Sequence, residues 1–196
     1  NTSVIYNDYK FQFSALQNNF DIRLSSGISD GNLKTDFDYY ASVNHHIKFG
    51  GNYIYHTFTP STVSGQQDTT MFTPENAFKK YAHEVALYLM DDWEISPHLQ
   101  LNAGVRYSGF MQIGPYTRYT RDNAGNKTDS VVYGRWRSVI RYGGFEPRMI
   151  LRWSWNDRNS LKASVTRNHQ FIHLVSNAGT TLPTDVWVPS TYLVQP

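Results

Sequence analysis

Residues 99–107 read LQLNAGVRY, alternating apolar and polar side chains without a slip. On an extended chain successive side chains point to opposite faces. Leu99, Leu101, Ala103, Val105 and Tyr107 therefore share one side, and Gln100, Asn102, Gly104 and Arg106 share the other. Soluble strands usually run about five or six residues, whereas a tilted strand that crosses a bilayer needs about nine to eleven. This run already reaches the longer class, and the question is what lies on each side of it.

The alternation recurs. In HIKFGGNYIYHTF, Ile47, Phe49, Gly51, Tyr53 and Tyr55 take one face and Lys48, Gly50, Asn52 and His56 the other, with Ile54 out of pattern. In FEPRMILRWSW, Phe145, Met149, Leu151, Trp153 and Trp155 oppose Glu146, Arg148, Arg152 and Ser154. Weaker patterns predict strands over Thr2–Phe13, Phe20–Tyr40, Tyr81–Ile95 and Ser160 to about Leu174, roughly seven strands in all with no convincing helix. YAHEVALYLMDDW also has Ala82, Val85, Ala86 and Leu89 at helical spacing, but Val85, Leu87, Leu89 and Trp93 alternate. The short SPH turn that follows, leading into LQLNAGVRY, favours a strand. Short connections (41–45, 96–98, 155–160) alternate with long polar ones (59–80, 114–143, 176–196). All short turns then lie at one end of an antiparallel sheet and all long loops at the other, the plan of an outer-membrane barrel. The fold expected is all-β, a segment of an antiparallel transmembrane β-barrel.

Composition narrows the alternatives. Only 17% of the 196 residues are charged while 15% are aromatic, and 18 Lys/Arg against 16 Asp/Glu leave a net charge of +2. Without a basic block, no nucleic-acid partner is expected. No cysteine occurs, so disulfides and thiolate metal sites are excluded within the segment. No run approaches eighteen apolar residues and the mean hydropathy is −0.52. A transmembrane helix is thus absent, which leaves barrel strands open because their hydropathy signal is weak. With Asn1 at the start and no leader pattern, the chain reads as an internal piece of something larger.

Some residues resist a regular pattern. Arg167 and His169 share parity with Leu161, Ala163 and Val165. They would face lipid unless a bulge intervenes or they stand above the apolar band. Asp91 shares parity with Trp93, beside a short turn where its cost is small. Pro147 withholds a ladder hydrogen bond and predicts an edge, a bulge or a strand end.

The segments HEVALYLMDDWEISPHLQLNAGVRYSGF (83–110), YGGFEPRMILRWSWNDRNSLKASVTRNHQFIHLVSN (142–177) and PTDVWVPS (183–190), with NLKTDFDYYASVNHHIKFGGNYIYHTF (32–58) upstream, resemble the barrel of TonB-dependent outer-membrane receptors, particularly those of Bacteroidetes-type bacteria. The resemblance covers nearly the whole chain. It implies a 22-stranded barrel closed by a plug, in the outer membrane of a Gram-negative bacterium. It implies uptake of a scarce nutrient (siderophore, haem, vitamin, glycan or peptide) with energy delivered by TonB. Residues 1–196 would form a partial barrel domain, with plug, TonB box and C-terminal strands outside it. Seven strands alone leave two open edges, which hydrocarbon does not tolerate. The partners implied are outer-membrane lipid, TonB through the plug, a small nutrient ligand and a surface lipoprotein over the loops.

No enzyme signature is present: there is no Gly-x-Ser-x-Gly, His-Glu-x-x-His, phosphate loop or dinucleotide fingerprint. No cofactor or metal is expected. His169 and His173 would stand about 13 Å apart on a strand, and adjacent His45 and His46 point to opposite faces. The carboxylates of DFD (36–38) and DDWE (91–94) read as residues of the turn end or the lumen. Arg106, Glu146, Arg148 and Arg152 form a lumen-facing or plug-facing row, which is either a ligand or plug contact or a solvated face with internal ion pairs. Tyr116, Tyr119, Arg121, Trp136, Arg137 and Trp187, in the long loops, are the candidate ligand contacts, because aromatic and arginine side chains are good anchors. Trp93, Trp153 and Trp155, beside the short turns, are candidates for an interfacial girdle. Two other readings compete: a barrel acting as adhesin or assembly scaffold, and a soluble all-β sugar-binding module whose rings fill a sandwich core.

Overall fold

The computed structural model of the chain describes residues 1–17, 20–67, 70–72, 79–122, 124–175, 186–192 and 194–196, with side chains described outside 15–24, 60–72, 121 and 186. Its elements are all strands: β1 (Thr2–Gln17), β2 (Phe20–Ser42), β3 (His45–Gln67), β4 (Thr70–Phe72), β5 (Lys80–Ser96), β6 (Leu99–Ile113), β7 (Tyr116–Arg121), β8 (Lys127–Tyr133), β9 (Ser138–Asn156), β10 (Asn159–Thr166), β11 (Ile172–Val175) and β12 (Val186–Pro189). The main sheet runs β1-β2-β3-β5-β6-β9-β10, every pair antiparallel, with β4 an addition on β3. Residues 81–95 are strand, so the alternation of Val85, Leu87 and Leu89 prevails over the helical spacing.

Register turns the sequence pattern into two continuous surfaces. Phe37, Phe49, Leu89, Val105 and Pro147 lie in one transverse row. The neighbouring row on the opposite face is Asp36, Gly50, Tyr88, Arg106 and Glu146. The apolar rows are open: Leu87 is 61% exposed, Phe145 66% and Val165 69%. A soluble sheet would cover that area, because an exposed contiguous apolar surface of this extent is costly in water.

The three short turns share one construction. Ser42 Oγ accepts from the Asn44 amide (3.2 Å), Ser96 Oγ from the His98 amide (3.3 Å) and Asn156 Oδ1 from the Arg158 amide (3.0 Å). A side chain that bonds the backbone two residues on closes a tight turn locally. A register shift adjoins each of the three, at Tyr40/Ser42, Glu94/Ser96 and Asn159/Ser160.

Two departures from the sequence expectation stand at the loop end. The strand expected to continue to about Leu174 stops at Thr166. Pro147 explains the stop: its carbonyl accepts from the Arg167 amide (3.1 Å), but it has no amide to return. The β9–β10 ladder ends at Thr166↔Arg148, one pair short of the proline. Arg167 and His169 therefore never occupy a regular lipid-facing parity. The chain turns inward, and His169 lies over Gly144, where an added Cβ would come within 2.6 Å of its ring. The second departure is the loop expected over 176–196. Its residues 186–189 pair with β11 as a small sheet, and β12 packs on β2 and β3. The described core sits beneath this flap: Phe58, Ala82, Phe110 and Phe171 are buried, with Ile28, Tyr142, Ile172 and Trp187 against them. Phe110 and Phe171 stack at 5.4 Å. Residues 176–185 lie outside the described residues.

Candidate functional site

The inner face, opposite the apolar rows, is where charge collects. Glu146 is 8% exposed and serves two neighbours: Arg106 Nε stands 3.6 Å from Oε2, while the His169 amide donates to Oε1 at 2.9 Å and its ring Nδ1 lies 3.2 Å away. Arg106 Nε also donates to Ser108 Oγ (3.0 Å). Nearer the short turns, Lys48 Nζ bonds Asp92 (2.8 Å) and His46 Nε2 meets Asp38 (2.8 Å), while level with Glu146 Lys34 pairs with Asp36 (2.9 Å). Asn102 also donates to Asp92, and the Tyr88 hydroxyl donates to Asp36. Lys34, Asp36, Asp38, Lys48, Tyr88, Arg106, Glu146 and His169 border a hollow of about 790 Å³ on the inner face, with Arg148 on its wall. Arg152 borders a second hollow of about 510 Å³ at the turn end, beside Asn102 and Lys162.

Higher on the same face His56 is buried between Asp30, at 2.7 Å from Nδ1, and Glu84, at 3.4 Å from Nε2. Asn32, Asn52 and Asn102 each bury an amide oxygen without a hydrogen-bond partner among the described residues, and Gln112 buries its amide nitrogen likewise. Buried polar atoms in native proteins nearly always have a partner. A wall with several such atoms is shaped to meet another polar surface or ordered water.

The row Arg106, Glu146, Arg148 and Arg152 thus shares the inner face, but as two groups. Arg106 and Glu146 are tied to each other and to His169, whereas Arg148 and Arg152 are exposed and have no ion pair among the described residues. His46 faces inward, while His45 faces outward and bonds Asp91 at 2.7 Å. Asp91 is thus partnered on the apolar side, next to the turn. His173 Nε2 bonds Ser190 Oγ (2.9 Å) within the flap, so His169 and His173 have separate partners. Among the described residues no group of three or more His, Asp or Glu side chains is placed to hold a metal ion.

The loop candidates are not brought to one place. Tyr116, Tyr119 and Arg121 lie on β7 of the β7–β8 hairpin, within the long polar connection expected over 114–143; the side chain of Arg121 lies outside the described ones. Strand parity puts Tyr116 and Tyr119 on opposite faces of the hairpin. Lys127 Nζ sits 4.2 Å from the Tyr119 ring centroid, and the Arg118 guanidinium 5.7 Å from that of Tyr192. The hairpin tip is set by Asp122, whose Oδ1 accepts from the amides of Ala124 (2.9 Å) and Asn126 (2.8 Å). Those bonds, Asn126 foremost, hold its carboxyl below the ordinary value. Arg137 is exposed at the base of the hairpin. Trp136 packs on His83 and Tyr55, which belong to the outer, apolar face. Trp187 belongs to β12, paired with Leu174 and packed on the core cluster, so it is part of the flap.

Trp93, Trp153 and Trp155 all stand exposed on the outer face beside the short turns, with Trp153 and Trp155 at 5.7 Å and Trp93 stacked on His45 at 5.2 Å. Sequence reading missed the His56 trio, the inward flap and the outer aromatic cluster at Trp136. Only the first had a readable signal, since Asp30, His56 and Glu84 all have inner parity in their strands.

One family model matches the chain: TonB dependent receptor-like, beta-barrel, over residues 1–184. Among curated proteins and among solved structures, nothing matches.

Proposed function

The chain belongs to the TonB-dependent receptor β-barrel family, a family of Gram-negative outer-membrane receptors that act as transporters and not as enzymes; from that premise we propose that residues 1–196 form part of the wall of a barrel that imports a scarce nutrient. The observation that carries the proposal is the two-faced wall. Leu87, Leu89, Val105, Phe145 and Leu161 make a broad exposed apolar surface, and Lys48, Asp92, Arg106 and Glu146 stand on its reverse. Hydrocarbon suits the first surface, because it needs no hydrogen bonds and every interior strand satisfies its backbone through its neighbours. A hydrated lumen and a polar plug suit the second, where orphaned amides find partners.

In this reading β1 and β10, each with one strand partner in the main sheet, continue into further strands of the same barrel. The β7–β8 hairpin is the part of this segment that meets ligand, through Tyr119 and the exposed charges around it. Trp93, Trp153 and Trp155 are the girdle at the turn side, and a surface lipoprotein is a candidate cap over the long loops. The ligand is a small nutrient whose scarcity justifies energy coupling through TonB.

The experiment is a chromosomal deletion of the complete gene, grown with iron, vitamins and glycans limited one at a time. A growth defect under one limitation, reproduced by loss of TonB and restored by the complete gene, is expected. Equal growth under every limitation, together with undiminished uptake of labelled siderophores, haem, cobalamin, glycans and peptides, would overturn it.

A further inference from the structure

The outer face carries a built cluster at the loop end that transport does not require. Trp136 has φ 68°, a left-handed conformation that bulky side chains rarely adopt. The backbone around it is pinned: the Gly114 amide donates to the Arg137 carbonyl (2.9 Å), the Trp136 amide to the Gly114 carbonyl (3.3 Å), and the Arg137 amide to the Gly134 carbonyl (3.1 Å). Position 114 must be glycine for this, since a Cβ there would stand 2.3 Å from the Gly134 carbonyl oxygen. The loop is thus returned to the outside of the wall. It sets the Trp136 ring 6.1 Å from His83 and 6.3 Å from Tyr55, and His83 is in turn bonded to the Tyr53 hydroxyl at 2.7 Å. Burial of Trp136 is not the reason, because it remains 58% exposed.

One cation borders these rings, and a second stands two strands away on the same face. The Arg135 guanidinium lies 5.5 Å from the Trp136 ring centroid. Arg141 occupies the same transverse row as Tyr55, His83 and Met111, is exposed, and spends its Nε on Ser138 Oγ (3.0 Å). Neither arginine has a carboxylate partner among the described residues. Immediately towards the turn end the same face becomes apolar, with Val85, Leu87, Val105 and Phe145 exposed.

We propose that this cluster binds the phosphate-bearing headgroup of an anionic lipid in the leaflet nearest the loops. A guanidinium fork matches a phosphate bidentately and stays charged at the boundary of hydrocarbon. Tryptophan, tyrosine and histidine present an apolar body to the chains and a polar edge to the headgroup. Free phosphate would use the arginines alone; only a lipid uses the arginines, the rings and the apolar rows beneath them together. The proposal rests on the reading of the outer face as membrane-embedded.

The test uses the complete protein in detergent, with lipid binding measured by native mass spectrometry against phosphatidic acid and phosphatidylcholine. Phosphatidic acid should be retained preferentially, and the double variant R135Q/R141Q should bind it roughly tenfold or more weakly, with phosphatidylcholine unaffected. Arg158→Gln, at the opposite end of the sheet, is the control and should bind as the unaltered protein does; heat-modifiable migration in gels verifies that every variant folds. Equal retention of both lipids, an unchanged R135Q/R141Q, or displacement of the lipid by millimolar inorganic phosphate would overturn the lipid site. Release of the protein from membranes by carbonate without detergent would instead overturn the membrane reading itself.

Discussion

Glu146 and His169 meet where the chain leaves the sheet: the His169 amide donates to Glu146 Oε1 at 2.9 Å, and the imidazole lies 3.2 Å from the same oxygen. One carboxylate therefore fixes both backbone and side chain of the first inward segment. Because Glu146 also faces Arg106, removing it leaves the His169 amide without its acceptor and Arg106 with its Ser108 hydrogen bond but no carboxylate.

Glu146→Ala should destabilise the folded complete protein by about 1–3 kcal/mol, the usual cost of orphaning buried hydrogen-bond partners. Glu146→Gln keeps an acceptor for the His169 amide and should cost less. Urea unfolding in lipid vesicles measures both. Hydrogen exchange should show faster exchange at residues 169–175 in the alanine variant, and equal protection would show that the flap is held by its apolar core alone.

Pro147→Val returns an amide that faces the carbonyl of Arg167. The β9–β10 ladder should extend by one pair, and the new amide at 147 should be protected from exchange. An unprotected amide there would mean that the flap, and not the proline, ends β10.

Leu89 is 53% exposed on the sheet. On a solvated surface its replacement by arginine would change stability by under about 0.5 kcal/mol. In hydrocarbon Leu89→Arg should cost about 2–4 kcal/mol. Folding titrations of the complete protein into vesicles separate the two values.

Spin labels on single cysteines give the same answer geometrically. Labels at Leu101, Ala103 and Val105 should be accessible to lipid-soluble oxygen, and those at Gln100 and Asn102 to a water-soluble nickel chelate. The opposite pattern would invert the architecture.

The turn at Asp122 should be acid-sensitive. Its carboxyl is held below the ordinary value of about 3.9 by the Asn126 and Ala124 amides. A depressed folded value means that the contribution is complete above the unfolded value and fades as pH falls through the folded one. Amide exchange at Ala124 and Asn126 should therefore be slow at neutral pH and lose its protection below about pH 4. Asp122→Asn, which keeps an acceptor without a titrating group, should remove this pH dependence.

The sheet was legible because its information is local. Alternation in residues 99–107 fixes the two faces of β6 without reference to any other strand, and the same holds for residues 47–58 and 145–155. What the alternation could not show was where pairing stops. SLKASV and FIHLV look equally strand-like, and only the missing amide of Pro147, on the neighbouring strand, divides them. Pro147 itself was a readable warning of a strand end, but its effect falls on a different strand from its own. The loop residues were least legible. Trp136 and Trp187 are alike in composition and context, yet one is turned to the outer face by a glycine-dependent backbone crossing and the other is half-buried, as part of the flap hairpin, against the inner core.

The flap makes the inner wall unequal along its length. At the loop end Phe58, Ala82, Phe110 and Phe171 are closed under β11 and β12, while at the turn end Lys48 and Asp92 form an ion pair beside His46. The interaction between two unit charges at 4 Å is about 1 kcal/mol in water and about 4 kcal/mol at an effective dielectric of 20. A charged solute moving down this wall thus crosses its dielectric step first, shedding hydration beside the aromatic cluster before it reaches groups able to replace the lost water.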